Sequence, residues 1–282
     1  MKTRVLSGIV IAVILIGAGC LMFTPVFDLL FCALAGAACY EVMKVAGVTF
    51  RPLHITAIVF AVLFPALIIY VPQLWAIALG AFVILLTFVI LTVANNQKIR
   101  FTDLTVAVYA TLVIPAAFAS ICLVADLYKL FPQVDKYESF FMTFTAIAAA
   151  LLNDVFAYFV GSAIGKHKMT PVLSPHKSWE GAVGGVLIDT GVMLLFLLLF
   201  VKVFAKKAFF LPVWAYAILV LCTAVLSIFG DLIASFIKRN YDVKDYSNLI
   251  PGHGGIMDRF DSVLLASPTV LAVSVVILKL LG

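Results

Sequence analysis

"QLWAIALGAFVILLTFVILTVA", residues 73–94, runs for 22 residues without a charge. As a helix it would extend about 33 Å, enough to cross a hydrocarbon core of about 30 Å, so it reads as a membrane span. Runs of the same kind recur on both sides of it. They cover roughly 5–23, 26–46, 53–71, 73–94, 104–131, 139–162, 180–204, 212–237 and 263–281. Pro72 leaves 53–94 open to two readings, one hairpin or two spans broken around that residue. Lys2 and Arg4 precede the first run as they would in a signal peptide. It passes into a second span with no small-residue cleavage site, so it is read as a membrane helix. The composition agrees, at 65% hydrophobic and 12% charged with a mean hydropathy of +1.20, against about 45–50% and 25% for a soluble domain. The expected fold class is all-α, a polytopic integral membrane protein with about nine transmembrane helices.

With the N-terminus inside, alternate loops place 13 Lys and Arg on the inner side and six on the other. Positive charge marks the cytoplasmic side, so the N-terminus and both glycine-bearing charged loops (163–179 and 238–262) are expected in the cytoplasm. The five cysteines all fall in apolar runs without CxxC spacing and read as core residues. The four histidines show no metal spacing. His253, inside a glycine hinge, is the one whose context suggests ligand contact. Three regions are expected: 1–96 as N-terminal scaffold, 97–137 as a middle helical segment offered for dimer contact, and 138–282 as the catalytic region.

Polar residues enter the spans from Asn153 onward. In "NDVFAYFVGSAIGKHK" (153–168), Tyr158 and Gly161 follow Asp154 by four and seven residues, on one helix face. An intramembrane Asp is a functional candidate by default, or else pairs with a lysine for helix docking. Gly161-x-x-x-Gly165-Lys166 is one residue short of a phosphate loop; a small-residue helix contact explains the glycines equally well. In "LSPHKSWEGAVGG" (173–185), Ser174-Pro175 marks a loop, and Ser178 precedes a helix whose free N–H groups favour an anion. Lys177 and the hydroxyls of Ser174 and Ser178 supply donors there; an ordinary N-cap is the alternative.

The third stretch is "SIFGDLIASFIKRNYDVKDYSNLIPGHGGIMDRFDS" (227–262). Five acids and bases fall between Lys238 and Asp245, and three between Asp258 and Asp261. Asp231, Ser235 and Lys238 share one helix face, as do Asp258 and Asp261 if a helix begins there. The glycines of "PGHGG" (251–255) let backbone approach a ligand closely. Carboxylates and cations beside such a hinge suggest Mg²⁺ with a polyphosphate.

This stretch resembles the signature of the CDP-diacylglycerol synthase (phosphatidate cytidylyltransferase) family. The match runs through Ser235, Lys238-Arg239, Lys244-Asp245, His253-Gly254-Gly255, Asp258-Arg259 and Asp261, 27 residues with every fixed position filled. The 174–181 loop is similar to the family's Ser-Pro-x-Lys-Thr-x-Glu-Gly, with Ser178 in place of Thr, and 154–166 resembles its polar span. The resemblance implies transfer of cytidylyl from CTP to phosphatidate, Mg²⁺ with room for a second cation, and metal ligation by Asp231 and Asp258. Lys244, Arg259 and Asp261 join these two as catalytic residues. Substrate contact is expected from Asn153, Asp154, Lys166, Ser174, Lys177, Ser178, Ser235, Lys238, Arg239, Asp245, His253, Gly254 and Gly255. The resemblance further implies a homodimer among membrane lipids, a multi-pass place in the inner cell membrane, and no nucleic-acid partner. Two rivals differ in substrate or class: a cytidylyltransferase for another lipid phosphate, and an ion-coupled transporter with Asp154 and Asp231 at mid-membrane.

Overall fold

The computed structural model describes residue 13, residues 16–252 and residues 254–282. About half of the expected span 5–23 lies outside these residues, as does His253. Among the described residues eight helices are long and apolar enough to cross a membrane. The chain divides into two compact units, Met1–Cys122 with Lys238–Phe260, and Leu123–Ile237 with Asp261–Gly282.

In the first unit, α1 (Pro25–Val45) opens with proline at its first turn, where a missing N–H is harmless. It ends at Gly47, whose φ of 68° suits a residue without Cβ. There Gly47 N–H donates to Lys44 and Val48 N–H to Met43, the paired bonds of a Schellman stop. α2 (Arg51–Tyr70) and α3 (Leu74–Ala94) are separate full-length helices. Pro72 breaks the chain between them, which settles the open reading of 53–94 as two spans. α3 is mostly exposed, Leu74 and Trp75 most of all. α4 (Phe101–Ala125) starts on a two-point Arg100–Asp103 pair and widens into a π turn over Tyr109–Val113. Pro115 follows at once; the wider turn accommodates a ring that would otherwise press on the preceding carbonyls.

The second unit begins with the short α5 (Leu127–Leu130) and the 29-residue α6 (Lys136–Ile164), capped by Asp135 accepting from Glu138 N at 2.8 Å. An antiparallel pair follows, β1 (Lys168–Thr170) and β2 (Ser174–Ser178), with Lys168 opposite Ser178 and Thr170 opposite Ser174. This small hairpin occupies the segment read from sequence as a loop. α7 (Trp179–Ala205) is capped by Ser178, whose Oγ accepts from Gly181 N at 3.1 Å. α8 (Val213–Asn240) and α10 (Val263–Leu281) complete the unit; α8 passes out of it after Ile237. An aromatic core of Phe141, Phe200 and Tyr216 holds α6, α7 and α8 together. Buried Glu138 reinforces it by accepting from the N–H groups of Phe210 and Leu211 and the Tyr216 hydroxyl.

The crossing of α6 and α7 depends on small residues. A Cβ on Gly181 would lie 2.6 Å from the Ala157 carbonyl and 3.0 Å from Gly161 Cα. The Gly161 stretch therefore serves close helix packing.

Candidate active site

In the second unit the crossing just described sets the hairpin and the starts of α6's last turns and α7 beside α8. Lys177, at the end of β2, ion-pairs with Asp231 of α8 and stands 3.9 Å from Asp154 of α6. Asp154 also accepts from the Ser262 hydroxyl at 2.7 Å. These groups open on a cavity of about 260 Å³ lined by Asp154, Ser174, His176, Lys177, Ser178 and Asp231. Five of these six were expected from sequence; the sixth, His176, is an exposed residue beside them. Tyr158, placed on the Asp154 face by its spacing, lines the same cavity.

Asn153 is turned elsewhere. It is fully buried, and its amide donates to Ala224 O at 3.0 Å and Ser227 Oγ at 3.1 Å, tying α6 to α8. Lys166 is exposed where the chain enters the hairpin. There Glu180 of α7 accepts from the backbone N–H groups of Lys166 and His167, and meets His167 Nδ1 at 2.5 Å. Ser235 is half-buried on α8, and Asp261 accepts from Ser262 N at 2.8 Å.

In the first unit, α9 (Met257–Phe260) carries Asp258 and Arg259. Its Phe260 ring packs on Phe31 and Phe118, with centroids 6.4 and 5.1 Å away, which fixes α9 on α1 and α4. Asp258 is buried. Its Oδ1 accepts from Lys238 Nζ at 2.8 Å, and its Oδ2 from Tyr246 N at 2.8 Å and Gly255 N at 2.9 Å. Gly254, at φ 78°, turns the chain; a Cβ there would lie 2.8 Å from Asp258 Oδ2. Arg239, Lys244, Asp245 and Arg259 are exposed along the same segment. Lys238, by contrast, is buried with Asp258 and lies 5.4 Å from the Tyr246 ring.

Glu41 of α1 was missed by sequence reading. It is buried, and accepts from Ser247 Oγ, Ile256 N and Met257 N at 2.6, 3.0 and 2.8 Å. The signal was available: a carboxylate within an apolar span, the criterion that singled out Asp154. Ser262 was missed for a different reason, since its partner Asp154 is 108 residues away in sequence.

Among the described residues no group of three or more His, Cys, Asp and Glu gathers to hold a metal. The second unit's cavity does offer two carboxylates and hydroxyl oxygens around the Lys177 ammonium, a place already built for positive charge. Mg²⁺ takes one or two carboxylates and completes its shell with water and phosphate, so this donor set fits it. Asp258 has given three of its roughly four lone-pair positions to hydrogen bonds, leaving about one for a metal.

Comparison with known proteins matches residues 2–277 to the model of the cytidylyltransferase family. A phosphatidate cytidylyltransferase of Bacillus subtilis (strain 168) is 32% identical over 283 aligned residues, covering 95% of each chain. Two others match over shorter stretches. The Haemophilus influenzae phosphatidate cytidylyltransferase is 39% identical over 136 residues, 48% of this chain and 46% of its own. That of Staphylococcus haemolyticus is 44% identical over 126 residues, 44% of this chain and 45% of its own.

Proposed function

The chain belongs to the cytidylyltransferase family, and we infer that it is a membrane-embedded phosphatidate cytidylyltransferase, converting CTP and phosphatidate to CDP-diacylglycerol and pyrophosphate. The observation that carries this reading to a place in the molecule is Lys177 set between Asp154 and Asp231 at a cavity with two serine hydroxyls.

A phosphate monoester oxygen of phosphatidate attacks the α-phosphorus of CTP. The new O–P bond forms as the bond to the β-phosphate oxygen breaks, and pyrophosphate leaves with that electron pair. Both reactants are anions, so the protein's task is to overcome repulsion, align the groups and meet the charge growing on the leaving group. Lys177 has three N–H donors; Asp231 engages one and Asp154, at 3.9 Å, is beyond hydrogen-bond reach, so two remain for phosphate oxygens. Ser174 and Ser178 add hydroxyl donors at the same cavity. Arg239, Lys244 and Arg259, all exposed, are suited to draw in and hold the polyphosphate. A phosphate monoester has a second pKa near 6, so at pH 7 the attacking oxygen is already mostly deprotonated. No side chain needs to act as general base.

Bound Mg²⁺ would supply charge neutralisation between the phosphates and the carboxylates. We assign Asp231 and Asp258 to metal on the family resemblance; Asp154, beside Asp231, has the same oxygen chemistry. A second cation, a homodimer, residence in the inner membrane and cytoplasmic motif loops belong to the same proposal. The positive-charge count supports the last of these.

The test is purified protein in mixed micelles with CTP and a panel of lipid phosphates of differing backbone. Phosphatidate should give the highest kcat/KM. A stronger preference for an ether-linked or polyprenyl phosphate would keep the family and replace the substrate.

A further inference from the structure

We propose that Glu41, in the N-terminal half of the chain, is a positioning residue for cytidylyl transfer, acting through the 246–257 segment; the proposal rests on the reaction assigned above. Two carboxylates close this segment. Asp258 joins Tyr246 N on one arm to Gly255 N on the other. Glu41 joins Ser247 Oγ on the first arm to Ile256 N and Met257 N on the second. Three consecutive N–H groups, those of residues 255, 256 and 257, thus end on carboxylate oxygens as α9 begins. The first N–H groups of a helix have no partner within it. Here the caps of Ile256 and Met257 come from α1, more than 200 residues away in sequence.

Gly255 records the same arrangement. A Cβ there would lie 2.5 Å from both oxygens of Glu41, so only glycine lets the carboxylate reach the next two amides. A carboxylate buried without partners would be very unfavourable; three donors, two of them backbone, compensate it. The segment so held leads directly into Asp258 and Arg259, and misplacement of reacting groups by about 1 Å can lower a rate about 100-fold. Glu41 touches no reacting atom in this account and acts through the peptides it fixes.

The experiment compares wild type with Glu41→Gln, which keeps the shape but turns one acceptor into a donor facing N–H groups. Asp28→Asn serves as a control on the same helix, where Asp28 accepts from Tyr70. Hydrogen exchange in detergent should show the 246–257 amides opening about tenfold faster or more in Glu41→Gln, with α3 amides unchanged. In the lipid assay kcat should fall about tenfold or more while KM for CTP moves less than about threefold. Combining Glu41→Gln with Ser247→Ala should cost far less than the product of the single losses, because the two share one bond. Asp28→Asn should keep wild-type kcat. Unchanged exchange of 246–257, or wild-type kcat in Glu41→Gln, would overturn the proposal, as would a rate loss that merely follows the folded fraction on gel filtration. If exchange accelerates as expected but the wild type makes no labelled lipid, Glu41 still positions the segment and the reaction assignment is what fails.

Discussion

The Lys238 ammonium donates to Asp258 Oδ1 at 2.8 Å, with the two side chains 11% and 3% exposed. Two residues of the signature stretch are therefore spent, at least in part, on each other. Breaking a buried pair from one side leaves a charge without compensation, at a cost of about 3–5 kcal/mol. Asp258→Asn should lose both turnover and thermal stability. Adding Lys238→Met should restore much of the melting temperature and none of the turnover. Recovery of activity in the double variant would show that Asp258 serves only to neutralise Lys238.

Lys177 is held by two carboxylates at the mouth of the cavity. Lys177→Met should lower kcat/KM for CTP by about 100-fold or more, the scale of losing a charged group that meets a phosphate in the transition state. Its elution profile should stay that of the wild type, because the cavity is open to solvent. A KM effect with unchanged kcat would mean that Lys177 contributes uniform binding only.

Gly181 lies where α7 crosses α6, with no room for a methyl group. Gly181→Val should destabilise the protein by about 1–3 kcal/mol through overpacking, read as an earlier thermal transition in detergent. A phosphate-binding role for these glycines predicts the opposite outcome, weaker CTP binding with stability preserved.

Sidedness follows from the distribution of Lys and Arg. A cysteine introduced at exposed Asn248, in a background with the native cysteines replaced, should resist an impermeant maleimide in intact cells and react in inverted vesicles. Efficient labelling from outside would invert the topology.

The pH profile tests the absence of a general base. The acid limb of kcat/KM should follow the phosphatidate monoester, whose second pKa is near 6, and should persist in His253→Gln at matched free Mg²⁺. Its loss in that variant would put the titrating proton on the histidine.

The spans were legible because uninterrupted hydropathy over 20 or so residues has few other meanings, and Pro72 was legible as a break. Asp154 and Asp231 could be marked as polar groups in the wrong solvent and Lys177 as a donor before a helix start, although nothing local says that they converge on one cavity. The glycines misled in an instructive way. Gly254 and Gly255 do mark close approach, as their spacing suggested, and what approaches is the protein's own Asp258 and Glu41. Asn153 shares the polar character of Asp154 one residue later, yet a step of about 100° around the helix turns it to Ala224 and Ser227. Partners such as Glu41 and Ser247, 206 residues apart, leave no pattern that a single chain displays.

Nucleotidyl transfer onto a lipid phosphate can be read from where position-specific label in CTP ends up. Purified protein is given phosphatidate, Mg²⁺ and CTP carrying phosphorus label at either the α or the γ position. α label should enter organic-extractable lipid while γ label stays in the aqueous phase as pyrophosphate. Lipid labelled from the γ position, or no labelled lipid from either, would contradict such transfer.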